Sequence, residues 1–375
     1  MVARLTKKFG SEHVEAILDA VQESFVTALG SWPHHGTPNN QSGWLMKVAE
    51  RRLIDTLRQT GRDAVMDEDN IIASRVEASE IGLYVMVCSP KLTIREQVCL
   101  ALRTLAGLTS ADIARLLLES EEAVQRRITR SKEKLSVEDL TLRNPEEHLP
   151  SILTVLYLMF TEGYEAGRGD EYVRPELAYS ALRLGEELRS LLSNQCAELE
   201  ALLALMHFHC ARMPARVSQE GEMIFWEEQD PAQINQAHTR RGFDYLALAQ
   251  STKLLSRFHL EAGLAAAIVR GAGTGEVLEW HSMLAKFYPT PLNQIAFVIS
   301  VGEHEGAERG LEGLRSLPDE IKIARPAHYA SAMAFFLTKL GRKTEAREWY
   351  RRAMANAMSA PVKRGLERRL EELGD

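Results

Sequence analysis

Apolar residues recur at spacings of three and four along almost the whole chain, and alternating β-branched runs bounded by turns are missing. The pattern predicts an all-α protein. A first helical block is expected from about Ala3 to Leu29, then a loop over Trp32-Pro33-His34-His35-Gly36-Thr37-Pro38-Asn39-Asn40, then a helix from Gly43 to about Gln59. The acidic, core-poor stretch from Gly61 to Ser79, with Asp67-Glu68-Asp69, reads as a linker. Helices return from about Ile81 to Leu135, and a junction follows at Leu142-Arg143-Asn144-Pro145-Glu146-Glu147. From Pro150 onward roughly ten more helices joined by short Gly/Pro turns are expected. The expected division is therefore residues 1–62, a linker at 63–79, a second helical module at 80–137, and a long helical extension at 138–375.

One stretch carries a sharper signal. In Gly107-Leu108-Thr109-Ser110-Ala111-Asp112-Ile113-Ala114, Thr109 can accept from first-turn amides while Asp112 reaches back, a capping box that starts a short helix. Ser120 repeats the capping for the next helix, which carries Glu121-Glu122-Ala123-Val124-Gln125-Arg126-Arg127-Ile128-Thr129-Arg130-Ser131-Lys132-Glu133-Lys134. Ile113, Ala114, Leu117, Val124 and Ile128 then pack the two helices across a tight turn, as in a helix-turn-helix. The second helix of that motif lies in the major groove. Its exposed face would offer Glu122, Gln125, Arg126, Thr129 and Arg130 to bases and phosphates, with Arg127, Lys132 and Lys134 holding mainly the backbone. The same residues also fit a solvated helical hairpin whose Arg and Lys are surface charge.

Charge sharpens the division. The net charge of −7 is unevenly spread: residues 1–137 carry 18 Lys and Arg against 18 Asp and Glu, residues 138–375 carry 27 against 34. A balanced first part with basic stripes is compatible with DNA, whereas the acidic part should face away from phosphate. The four cysteines, Cys88, Cys99, Cys196 and Cys210, show no C-x-x-C spacing, and no run of about 18 apolar residues exists to span a membrane. A reducing, cytoplasmic location without membrane contact is expected.

The order of parts adds a resemblance. Asp19-Ala-Val-Gln22-Glu23-Ser-Phe25-Val-Thr-Ala28-Leu29, followed by Gly43-Trp44-Leu45-Met46-Lys47-Val48-Ala49-Glu50-Arg51-Arg52-Leu53-Ile54-Asp55-Thr56-Leu57-Arg58, resembles regions two-point-two to two-point-four of bacterial sigma factors of the extracytoplasmic-function type. Gly107 to Leu135 resembles their region four-point-two. Leu153-x-x-Leu156-Tyr157-Leu158-Met159-Phe160-Thr161-Glu162-Gly163-Tyr164, the stretch from Leu202 to Arg216 and Gln229-Asp230 look like the subfamily with a long helical C-terminal extension. Near the end, Gly341, Ala346, Tyr350 and Ala353 have the spacing of a tetratricopeptide-type helix pair, and Gly302, Ala307, Leu311 and Leu314 repeat it 39 residues earlier.

The resemblance implies an all-α factor: a region-two bundle, a region-four helix-turn-helix and a C-terminal tetratricopeptide-like array. It implies that Asp19, Gln22, Glu23 and Phe25 dock on the clamp helices of the largest subunit of core RNA polymerase, and that the flap is a second contact. Read from the residues alone, Phe25 and Val21 serve equally well as core, with the acids solvated. Lys47, Arg51, Arg52 and Arg58 would follow the minus-ten promoter element, while Asn39 and Asn40 would hold an extruded base. Glu122, Gln125, Arg126, Thr129, Arg130 and Lys132 would read the minus-thirty-five element. Trp44, Leu45, Val48, Leu53 and Leu57 are expected in the core. The chain begins close to region two-point-two, so a short first helix is expected. Leu18 stands where relatives usually have Glu, Arg51 where they have Asn, Ser89 where they have His, and Gln229-Asp230-Pro231 lacks the usual Arg.

Other chemistry is not expected. His207-Phe-His209-Cys210 offers metal-ligand types, but on a helix residues i and i+2 point about 200° apart, so both rings do not reach one ion. Nucleotide-binding, hydrolase and dinucleotide motifs are missing. No enzyme activity, cofactor or metal is expected, and the extension is expected to meet a protein partner of its own. Two rival classes stay open: a ligand-responsive helix-turn-helix transcriptional repressor with a helical sensor domain, and an interaction scaffold.

Overall fold

The computed structural model describes residues 1–35, 41–59, 80–135, 145–192, 194–250 and 255–374. Every regular element among them is helical, apart from two isolated β-bridges, Gly169 with Ser359 and Val217 with Met223. The chain divides into two compact units, Met1–Leu156 with Glu187–Ser193, and Tyr157–Glu186 with Asn194–Asp375.

The first unit opens with α1 (Val2–Phe9), α2 (Val14–His35) and α3 (Gln41–Gln59). Leu5, Ile17, Ala20, Ala49, Leu53 and Leu57 form their shared core, and Lys8 of α1 pairs with Glu50 of α3. Leu45 is buried as expected, whereas Trp44 and Val48 are only partly buried. The structure corrects the expected loop at Trp32, because α2 continues through Trp32-Pro33-His34-His35. Proline withholds one amide from the ladder, but its fixed φ is itself helical, so in a last turn it does not force a break. Asn39, Asn40 and the expected linker at 63–79 lie outside the described residues.

Four short helices follow: α4 (Glu80–Val87), α5 (Ile94–Thr104), α6 (Ser110–Leu117) and α7 (Glu121–Lys134). Ile81 to Val87 are all buried, as an all-round apolar helix must be. The Ile81 amide at the head of α4 donates to Glu187 Oε2 at 3.2 Å. That bond ties α4 to a residue 106 positions along the chain.

The remaining helices are α8 (Leu149–Tyr164), α9 (Pro175–Leu191), α10 (Ala197–Arg212), α11 (Gln236–Ala249), α12 (Arg257–Val269), α13 (Thr274–Phe287), α14 (Pro291–Glu305), α15 (Ala307–Ser316), α16 (Asp319–Ala324), α17 (Pro326–Lys339), α18 (Lys343–Asn356) and α19 (Ala360–Glu372). They number twelve among the described residues, against the ten or so expected. The six-residue α16 is too short to leave a periodic signature.

A beat runs through the second unit. Gly271, Gly306 and Gly341 follow one another at steps of 35 residues, and each holds a left-handed φ, 72°, 116° and 70°, in the turn between two successive helices. A side chain is strained there, which accounts for glycine. In the last pair Ala346, Tyr350 and Ala353 are buried, as the spacing predicts. The earlier copy is corrected, because Gly302 lies inside α14 and the turn glycine is Gly306. Gly302 instead opens a slot: a Cβ there would lie 2.3 Å from the ring of Phe336 and 2.6 Å from the Gly310 Cα. Two glycines facing each other thus admit an aromatic ring where α14 and α15 meet α17.

Candidate nucleic-acid interface

Local chemistry fixes the α6–α7 pair. Thr109 Oγ1 accepts from the Asp112 amide at 3.1 Å, and Asp112 Oδ2 accepts from the Thr109 amide at 3.1 Å and its hydroxyl at 2.6 Å. This closes the predicted capping box. The turn is made at Leu118, which holds φ 56° and ψ 44° and is the one non-glycine residue with positive φ among the described residues. Its amide donates back to the end of α6, and Ser120 Oγ then accepts from the Ala123 amide at 3.2 Å to start α7. Ile113, Ala114, Val124 and Ile128 are buried between the helices, with Leu108 beneath them. Replacing Thr109 by Ala is expected to cost about 1 kcal/mol, roughly a fivefold loss of amide protection in α6 by hydrogen exchange, with Thr109→Ser keeping most of it. Unchanged protection would place the start of α6 under other control.

With Val124, Ile128 and Ser131 turned inward, Glu122, Gln125, Arg126, Thr129, Arg130 and Lys132 are all exposed. Gln125 Nε2 donates to Glu121 at 3.1 Å, and the Thr129 hydroxyl donates to the Gln125 carbonyl at 3.1 Å. Arg126, Arg130 and Lys132 have no ion-pair partner among the described residues. Two cations expected on DNA backbone are engaged elsewhere. Arg127 donates to Glu119 at 2.5 Å and to Cys99 Sγ at 3.5 Å, and Lys134 donates to Glu96 at 2.5 Å. The Lys134 ammonium and the Thr93 amide hold the Glu96 carboxyl below the usual carboxylate range. These bonds clamp α7 to α5 and to the turn. Glu119, which also pairs with Arg95, is a residue the sequence reading passes over; no local pattern marks it, since its partners lie 8 and 24 positions away.

A second surface lies on the first bundle. Asp19, Gln22 and Glu23 are exposed on one face of α2, and Lys47, Arg51 and Arg52 are exposed on α3. Arg52 Nε lies 3.4 Å from Glu23 Oε2, so the acidic face and the basic stripe meet at this pair. Phe25 and Arg58 stand on α2 and α3, and their side chains lie outside the described residues.

A small helical bundle followed by a capped helix-turn-helix with a polar, cationic second helix is the arrangement on which comparison with known families bears. Residues 1–63 match the family described as sigma-70 region 2, and residues 83–135 match sigma-70, region 4. The chain carries sigma-70 regions 2 and 4. Sigma region 2 here is the α1–α3 bundle, and sigma region 4 spans α4 to α7. The two regions support a sigma factor for promoter-specific transcription, with core RNA polymerase and promoter DNA as what it meets. Residues 148–250 match a family of unknown function, DUF6596. The chain is 28% identical to an uncharacterized protein of Rhizobium meliloti (strain 1021), over 95% of this chain and 89% of that protein. No solved structure matches it. No helix among the described residues is long and apolar enough to cross a membrane.

In the second unit, the histidines of α10 part company as helix geometry requires. His207 turns its Nδ1 to within 2.9 Å of His238 Nδ1, while His209 packs its ring 4.3 Å from that of Tyr164. Burial pushes both imidazoles down to about 3 and the Cys210 thiol up to about 12, so all three are uncharged at neutral pH.

Proposed function

We propose that this chain is a sigma factor of the extracytoplasmic-function type, regulated by its own helical extension at 138–375. Region 2, residues 1–62, docks on the polymerase clamp helices through Asp19, Gln22, Glu23 and Phe25. It lays Lys47, Arg51, Arg52 and Arg58 along the minus-ten element, with Asn39 and Asn40 receiving an extruded base. Region 4, residues 80–137, meets the flap and reads the minus-thirty-five element with Glu122, Gln125, Arg126, Thr129, Arg130 and Lys132. The observation that carries this reading is the face of α7, where three exposed cations without ion-pair partners among the described residues lie opposite a buried stripe, while Arg127 and Lys134 are paired with Glu119 and Glu96.

The mechanism is recruitment. Opening and unstacking DNA costs a few kcal/mol per extruded base, which base capture and released counterions offset. Two reading heads held at one spacing give promoter choice, each mismatch costing about 1–3 kcal/mol. The tetratricopeptide-like extension, with its excess of 34 acidic over 27 basic residues, competes with DNA or polymerase through its negative surface. The full chain is expected to co-purify with core RNA polymerase in the cytoplasmic fraction and to direct run-off transcription from genomic fragments that the assembled holoenzyme selects. Cutting an engineered protease site between Lys134 and Pro145 then reports regulation: output that does not change excludes it. Binding to duplex DNA without any affinity for the core enzyme would point to the repressor reading instead.

A further inference from the structure

The second unit contains a cavity of about 500 Å³, in the range of small-molecule sites. All but Phe225, Trp226 and Glu227 of its lining residues lie beyond residue 250, outside every family match. Ile268, Val277, Ile295, Ile299 and Phe335 make its walls apolar, and Trp226 stands half exposed at the lining. The polar lining mixes hydroxyls, imidazoles and carboxylates, and its formal charges are of one sign. No Lys or Arg lines the space, and its two carboxylates are Glu227 and Glu303. Glu227 is already matched by Arg369 at 2.5 Å. Glu303 makes no hydrogen bond or ion pair among the described residues. Burial raises its pKa, Lys339 works against that rise, and Glu227 adds to it. Lys339 itself is exposed, with its ammonium 4.4 Å from the centre of the Phe335 ring.

The His281 imidazole does not supply a positive charge. His281 Nδ1 lies 2.5 Å from Ser300 Oγ, and burial pushes His281 down to about 4, so it is neutral at pH 7. His328, also in the lining, is exposed and lies 4.0 Å from Glu165. An apolar-walled chamber lined by a partly buried carboxylate that has no ion pair among the described residues favours a ligand bringing both apolar area and a cation, which would cover the walls and pair with the carboxylate.

We propose that this cavity binds a small amphipathic cation, an apolar body bearing one primary ammonium group that pairs with Glu303. Such a group arises in a free amine or in a lysine side chain between apolar residues of a peptide. The inference is independent of the sigma-factor reading, since it concerns binding by the extension itself.

Calorimetry on the full chain, without polymerase, tests it with hexylamine, hexanol and the blocked peptide acetyl-Leu-Lys-Leu amide. Hexylamine is expected to bind saturably and at least tenfold more tightly than hexanol. Glu303→Gln, which keeps the side-chain volume, should erase that difference, and Ala296→Trp, which fills the lining, should abolish binding of both. A peptide affinity tenfold above that of hexylamine assigns the site to a peptide, and a lower one to a free amine. Equal affinity for hexylamine and hexanol overturns the proposal. So does hexylamine binding that survives Glu303→Gln, or the absence of saturable binding by every probe while circular dichroism shows the native helix content.

Discussion

Reversing two charges on α7, in the double variant Arg126→Glu/Arg130→Glu, is expected to lower holoenzyme occupancy of selected promoter fragments about a thousandfold, at roughly 2 kcal/mol for each arginine. Both side chains are exposed, without ion-pair partners among the described residues, and four positions apart on the face opposite Val124 and Ile128. Neither supports the fold, so melting should change little. The single alanine variants separate two roles. An arginine that reads a base edge relaxes selection at one promoter position when removed, whereas one that grips phosphate weakens all sequences alike and lowers the salt slope by about one. Arg127→Ala should behave differently from both. It leaves Glu119 to Arg95 and removes the tie between α7 and the turn, so its effect appears in melting before it appears in promoter choice. Undiminished occupancy in the double variant would remove α7 from the promoter interface.

Truncating Phe336 is expected to cost about 3–5 kcal/mol, the range for a large aromatic removed from a close-packed interior. The ring is fully buried and fills the slot between Gly302 and Gly310, two residues that have no side chains of their own to move into the space. Denaturant unfolding followed by circular dichroism should show the loss for Phe336→Ala, with Phe336→Leu losing less than half as much. A cost below about 1 kcal/mol would mean that α14, α15 and α17 close up around the gap.

What could be read from the chain beforehand was whatever is settled within a turn or two. The start of α6 was legible because Thr109 and Asp112 are three residues apart, and the inward stripe of α7 because Val124 and Ile128 obey the helical period. The employment of Arg127 and Lys134 was not, since Glu119 and Glu96 reach them through the fold, and a side chain four residues along the same helix looks identical on paper. Gly302 and Gly306 show a different failure. Spacing alone does not separate a glycine chosen for close approach from one chosen for backbone freedom, and only φ tells them apart. The cavity was invisible for a third reason: its walls come from several helices whose residues, taken singly, read as ordinary core.

The 35-residue interval between Gly271, Gly306 and Gly341 also bears on how this part of the chain can change over generations. Each helical pair rests chiefly on the pairs next to it, so stability accumulates pair by pair. Duplication or loss of one whole interval within the gene would return every surviving pair to an equivalent neighbour, while a shift of half an interval would set turn against helix. Length variation among descendants of this chain should therefore come in whole steps.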